Sequence, residues 1–145
     1  MSRVVDVARA WIGTPYMHQG AVKGAGTDCL GLIRGVWREV YGEEPEAVPQ
    51  YSEDWAEVQG LEVLDHAAGR HLRRLPVGEA LAPGQLLLFR MRNAAIAKHL
   101  GIVTTVGPHP RFVHAYSGHG VVESSLSHPW MRRVAARFEF PAHSH

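Results

Sequence analysis

Three side chains in this sequence are suited to covalent chemistry at a carbonyl carbon: the thiol of Cys29 and the imidazoles of His99 and His114. Cys29 is the only cysteine and lies in Gly26-Thr27-Asp28-Cys29-Leu30-Gly31-Leu32-Ile33. Gly24 and Gly26 loosen the backbone before it, and Ile33, Val36, Trp37 and Val40 follow at helical spacing. Thr27 or Asp28 can cap that helix by accepting a backbone N–H bond. A thiol in the first helical turn feels the positive end of the helix dipole, which favours thiolate. Without further context, a single cysteine reads better as a small buried core residue. The histidines are what give it a chemical context.

His99 and His114 fall in two strand-like segments, 99–106 and 111–116, on either side of the turn Gly107-Pro108-His109-Pro110. If the segments pair as a hairpin with Thr104 facing Arg111, Gly101 faces His114 and His99 is its diagonal neighbour. A tighter turn would set His99 directly opposite His114. Both registers put the two rings on one face, with diagonal neighbours about 7–8 Å apart, whereas a one-residue slip separates them. If the helix N-terminus abuts that face, a Cys-His-His triad follows. His99 would draw the thiol proton and later protonate a leaving amine, and His114 would bond the far nitrogen of His99 to fix its tautomer. Cysteine and two histidines are also a zinc ligand set, although no C-x-x-C or H-x-x-x-H pair joins them, and the reading expects neither metal nor cofactor.

These groups need a scaffold. The chain of 145 residues is long enough for one domain with a core, taken as 1–145. A net charge of +1 without Lys or Arg runs argues against a nucleic-acid face, and no apolar run suits membrane insertion. The start of the chain reads as an amphipathic helix with Arg3, Asp6 and Arg9 rather than a signal peptide, so synthesis in the cytoplasm is expected. That helix is predicted over 2–12, with Val4, Val5, Ala8, Trp11 and Ile12 on one face. A second is predicted over 28–41, stopped by Gly42 and Pro45. Residues 43–51 read as loop and 53–68 as a helix weakened by Gly60. Strands are predicted over 85–91, 99–106, 111–116, 121–126 and 132–140, with a connection at 92–98. Helices first and a meander of about five antiparallel strands after them make the class α+β.

Several motifs, in order, resemble the NlpC-type papain-like cell-wall cysteine peptidases. They are Gly13-Thr14-Pro15-Tyr16, Thr27-Asp28-Cys29-Leu30-Gly31, Pro83-Gly84-Gln85-Leu86-Leu87-Leu88-Phe89, His99-Leu100-Gly101-Ile102-Val103, and Phe112-Val113-His114-Ala115 with Gly120-Val121-Val122-Glu123-Ser124. The resemblance is thinnest over 43–80. It implies a papain-like α+β fold whose nucleophile starts a helix packed on an antiparallel sheet. It also implies roles: Cys29 as nucleophile, His99 as general base and acid, and His114 as orienting residue. Tyr16 would lie beside the nucleophile and assist substrate or oxyanion binding, and Asp28 would sit near the amino end of the substrate.

The implied substrate is a peptidoglycan stem peptide, cut between γ-D-glutamate and a diamino acid. Leu30 stands where many members carry serine, and Gln85 where an acidic residue is common. Asp-Cys-Leu-Gly-Leu in a compact chain without a signal peptide resembles the subgroup carried in the tails of phages and gene transfer agents. The expected partners are then tail-tip or baseplate proteins of a phage-like particle, and the expected place of action is the cell wall or periplasm. The rival readings are an amidase or acyltransferase on the same fold and a structural tail-tip protein with a vestigial triad. A thiol activated in this way would have a pKa of roughly 3.5–7.5.

Overall fold

The computed structural model describes residues 3–42, 70–90 and 97–141. The loop and helix expected over 43–51 and 53–68, and most of the connection expected over 92–98, lie outside them. Two helices come first: α1 (Arg3–Ala10) and, after a ribbon of β1 (Ala21–Val22) and β2 (Gly26–Thr27), α2 (Cys29–Tyr41). The remainder is β3 (Arg73–Arg74), β4 (Leu86–Arg90), β5 (Ala97–Thr105), β6 (Arg111–Tyr116), β7 (Gly120–Ser125), a one-turn helix α3 (His128–Met131) and β8 (Val134–Glu139). The predicted α+β architecture is the observed one.

The main sheet has the order β3-β8-β4-β5-β6-β7, with antiparallel neighbours throughout. The expected meander runs from β4 to β7. The last strand then crosses back to pair with β4, and the short β3 adds to its far side. Alternation along the strands builds two different faces. Leu86, Leu88, Leu100, Ile102, Val113 and Ala115 point at α1 and α2 and join Trp11, Leu32, Val36 and Val40 in the larger core cluster. Leu87, Phe89, Val103 and Phe112 point the other way and form a second cluster with Leu126 and Trp130.

Asp28 caps α2: its side chain accepts from the Gly31 N–H at 2.8 Å, and Gly42, with φ of 98°, ends the helix by donating its N–H to the Arg38 carbonyl. The first turn of α2 lies hard against the loop before it. A Cβ on Gly31 would sit 1.8 Å from the Gly20 carbonyl oxygen, so only glycine fits there. One turn further, Gly35 leaves room for the Trp11 ring, whose Nε1 donates to Glu39 at 2.6 Å and fixes α1 against α2. The expected face of the first helix holds for Val4, Val5, Ala8 and Trp11, all buried, but not for Ile12, which is 44% exposed. The helix stops at Ala10 and the chain turns through Gly13, so Ile12 leaves the helical phase.

Candidate active site

Cys29 is the first residue of α2 and is buried at its tip. Backbone N–H groups of Leu100, Leu30 and Cys29 itself donate toward the sulfur, so the helix end and strand β5 both favour negative charge on it. Burial opposes them and is larger, and the neighbouring Asp28 carboxylate adds to it, so the thiol is pushed up to about 12. This corrects the expectation of a lowered thiol pKa. The helix end does favour thiolate, but Cys29 is buried and follows a buried carboxylate.

The histidines stand on the same sheet face, as either predicted register required. The β5–β6 pairs Ile102↔Val113 and Val103↔Phe112 extend to Gly101 opposite His114, which makes His99 the diagonal neighbour. A shift in register puts Thr105 rather than Thr104 opposite Arg111. His99 Nε2 and His114 Nδ1 are 2.7 Å apart, and His114 Nε2 lies 2.9 Å from the Ser124 hydroxyl. Aromatic rings enclose the pair: Phe89 and Trp130 flank His99, while Phe112, Tyr116 and Trp130 flank His114. Burial, then the neighbouring His114, pushes His99 down to about 3; burial, then His119, pushes His114 down to about 4. At neutral pH the resting groups are therefore a neutral thiol and two neutral imidazoles.

The triad was conditional on the N-terminus of α2 abutting the face that bears the histidines; the body of α2 packs on the opposite face, over Leu100 and Ile102. Its tip still meets β5 at the Leu100 N–H, one residue along the strand from His99. The sulfur thus meets β5 at Leu100, the residue that follows His99 in the strand. Because His99 Nε2 is taken by His114, Nδ1 is the nitrogen left to exchange a proton with a thiol. Among the described residues no set of three His, Cys, Asp or Glu side chains converges as a metal site.

The chain matches the NlpC/P60 family over residues 13–139. It belongs to that family. It is 30% identical over 132 residues to the murein DD-endopeptidase MepS/murein LD-carboxypeptidase of Escherichia coli K12, an alignment covering 91% of this chain and 58% of that protein. A probable endopeptidase NlpC homolog of Haemophilus influenzae is also 30% identical, over 131 residues, covering 90% of this chain and 57% of the relative. The chain therefore spans less than two thirds of either relative. Among solved structures, the NlpC/p60 domain of the peptidoglycan hydrolase SagA superposes with a TM-score of 0.60 at 26% identity, covering 97% of both chains. An NLP/P60-family lipoprotein-like structure from Staphylococcus aureus, at 22% identity and a TM-score of 0.59, covers 97% of this chain and 41% of its own and speaks for the fold alone.

The NlpC/P60 resemblance also named Tyr16 and Asp28. Asp28 is buried, with one carboxylate oxygen on the Gly31 N–H and the other accepting from the Gln19 N–H at 2.7 Å; His18 Nδ1 lies 3.9 Å away. It ties the loop before α2 to the helix start. Tyr16 is half-buried in that loop, bridged to Thr27 and packed against the larger core cluster. Met17 N–H to the Thr27 carbonyl and Thr27 N–H to the Pro15 carbonyl hold the loop along β2. Gln85, one of the two departures from the family pattern, donates to the Ala80 carbonyl and accepts from Arg137, which makes it a brace for the turn before β4. Leu30, the other, is half-buried against the core. Sequence reasoning overlooked two residues of the site. Ser124 was recoverable: a turn at 118–120 sets Tyr116↔Gly120 and hence His114↔Val122, which puts Ser124 on the histidine face. Trp130 lies in 127–131, where the sequence reading assigned no element.

Proposed function

We propose that this NlpC/P60 chain is a cysteine endopeptidase acting on the stem peptides of peptidoglycan. The observation that carries the reading is the 2.7 Å bond between His99 and His114 one residue from the strand position that meets the Cys29 sulfur. His99 Nδ1 takes the thiol proton as the sulfur attacks the amide carbonyl, so the thiolate forms during attack and need not persist at rest. The N–H groups at the α2 N-terminus, above all that of Cys29, suit the developing oxyanion. His99 then returns its proton to the leaving amine, and a water activated by the same imidazole releases the thioacyl intermediate. His114 holds His99 in place through its far nitrogen. Tyr16 borders the substrate or oxyanion, and Asp28 both caps the helix and lies near the amino end of the substrate.

A relative named as a murein DD-endopeptidase, another named as a probable endopeptidase, and a peptidoglycan hydrolase support the substrate class. Within it, the bond cut is the one between γ-D-glutamate and the diamino acid, with Leu30 in place of the frequent serine altering contacts at the amino end. The protein works as a tail component of a phage or gene transfer agent. It is made in the cytoplasm, held by tail-tip or baseplate proteins, and opens the wall from outside during DNA delivery.

Purified sacculi and defined muropeptides treated with wild type and Cys29→Ala, read by mass spectrometry, test this. Fragments ending in γ-D-glutamate with wild type alone support the nucleophile and the bond. Products carrying an added amine would move the reading to acyl transfer. No product from either protein, with Cys29 inert to iodoacetamide, would leave a structural tail protein.

A further inference from the structure

The chain of contacts beyond His99 does not end at His114. We infer that Ser124 is a positioning residue that sustains the working tautomer of both histidines by accepting the His114 Nε2–H; the inference rests on the proposed role of His99 as the base.

His114 has no free nitrogen: Nδ1 faces His99 Nε2 at 2.7 Å and Nε2 faces the Ser124 hydroxyl at 2.9 Å. A neutral imidazole donates from one nitrogen and accepts at the other, so two proton arrangements exist. In one, His99 Nε2–H donates to His114 Nδ1, and His114 Nε2–H donates to Ser124 Oγ. His99 Nδ1 is then bare and can accept the thiol proton. In the other, Ser124 donates to His114 Nε2, His114 Nδ1–H donates to His99 Nε2, and His99 already carries hydrogen on Nδ1. It then cannot act as a base. In the first arrangement the proton gained by His99 adds at Nδ1 while Nε2–H keeps its bond to His114, so no ring has to turn.

The fold places Ser124 for this task. It sits in β7 directly opposite Phe112, on the same face as His114, and it is half-buried. A hydroxyl there supplies an acceptor without a charge. With alanine at 124, the working arrangement leaves a buried N–H unpaired, whereas the idle one leaves only an unpaired lone pair, the milder cost. The balance moves to the idle tautomer.

The test compares wild type with Ser124→Ala and with the isosteric pair Ser124→Thr and Ser124→Val, whose β-branched side chains suit a strand. Three measurements are made: histidine side-chain ¹⁵N shifts, the pH dependence of Cys29 alkylation by iodoacetamide, and kcat and KM on a defined muropeptide. In wild type, His114 is expected protonated on Nε2 and His99 bare on Nδ1. Ser124→Ala and Ser124→Val are expected to lower kcat and the neutral-pH alkylation rate about tenfold, the worth of one buried hydrogen bond, with KM unchanged. The acid limb of alkylation should move to lower pH, because the lost acceptor stabilised the protonated pair; threonine should restore both. A merely structural serine would move the melting point but neither the limb nor the tautomer. Wild-type alkylation and ¹⁵N shifts in the alanine or valine variant would overturn the inference. Slowed alkylation in a wild-type background inactive on muropeptides would sink the substrate reading while leaving the role of Ser124 standing.

Discussion

The two faces of the sheet are built from the same strands and do opposite work. On the α2 side, alternate residues of β4, β5 and β6 are aliphatic, and their contribution is burial, about 1.5–3 kcal/mol for each large side chain. On the other side, the intervening residues supply Phe89, His99, Phe112 and His114, to which Ser124 and Trp130 are added. That face is buried as well, but it encloses the groups that the proposed mechanism has exchange protons. The comparison teaches that a period of two along a strand is enough to separate stability from chemistry. Neighbours as close as His99 and Leu100 belong to different tasks, and the thiol is delivered from the stability side to the strand between them.

The sharpest way to break this division is a pair of substitutions on β5. His99→Gln should lower turnover by about 10³-fold while leaving the thermal midpoint at pH 7 close to wild type. Ile102→Ala, on the other face, should lower unfolding free energy by about 2–5 kcal/mol while the folded fraction keeps its turnover. Steady-state assays with denaturant melts on both variants check it; a large stability loss in the first or a large kcat loss in folded protein of the second would merge the two faces.

The pH dependence of stability separates them by sign. The folded pKa values of His99 and His114, about 3 and about 4, lie below the ordinary 6.5. The unfolded chain then binds protons that the folded one refuses, so stability is fully present above 6.5 and is lost as pH falls toward 3. The loss is about 2 kcal/mol per imidazole between pH 6.5 and 5. Cys29, raised from 9.0 to about 12, keeps a proton that the unfolded chain releases, so stability falls again as pH climbs from 9 to 12. Urea midpoints across this range should show a plateau from 6.5 to 9. His99→Gln should shallow the acid limb and Cys29→Ala the alkaline one, to which Tyr41, also raised by burial, contributes as well, whereas Ile102→Ala should lower the whole curve without changing its shape.

The smallest effect concerns the tip of α2. Asp28→Asn keeps a capping oxygen for the Gly31 N–H but removes the charge that opposes thiolate. Alkylation of Cys29 at pH 8 should quicken a few-fold, with a stability loss of about 1–3 kcal/mol, because the asparagine NH2 turned to Gln19 cannot accept its N–H. An unchanged rate would mean that burial alone sets the thiol.

Much of this was readable in one dimension. The start of α2 follows from glycines, a capping aspartate and an apolar stripe, all local in sequence, and the structure puts the cap on Asp28. The shared face of His99 and His114 follows from a short turn and the alternation of strands, so it held even though the register shifted near Thr105. Ser124 was within reach of the same argument one hairpin further on. Trp130 was not, because a one-turn helix between strands has too few residues to show a period.

What the sequence determined by itself was therefore what neighbouring residues settle between them: the helix start, the residues that share a face and the family. Three matters waited for the tertiary structure: the face on which α2 packs, the return of β8 to β4, and the direction in which the thiol pKa moves. The first two depend on contacts between residues distant in the chain, which no local pattern encodes. The third is a contest between three N–H donors and the loss of water around the sulfur, and only the packed core decides how much water is lost.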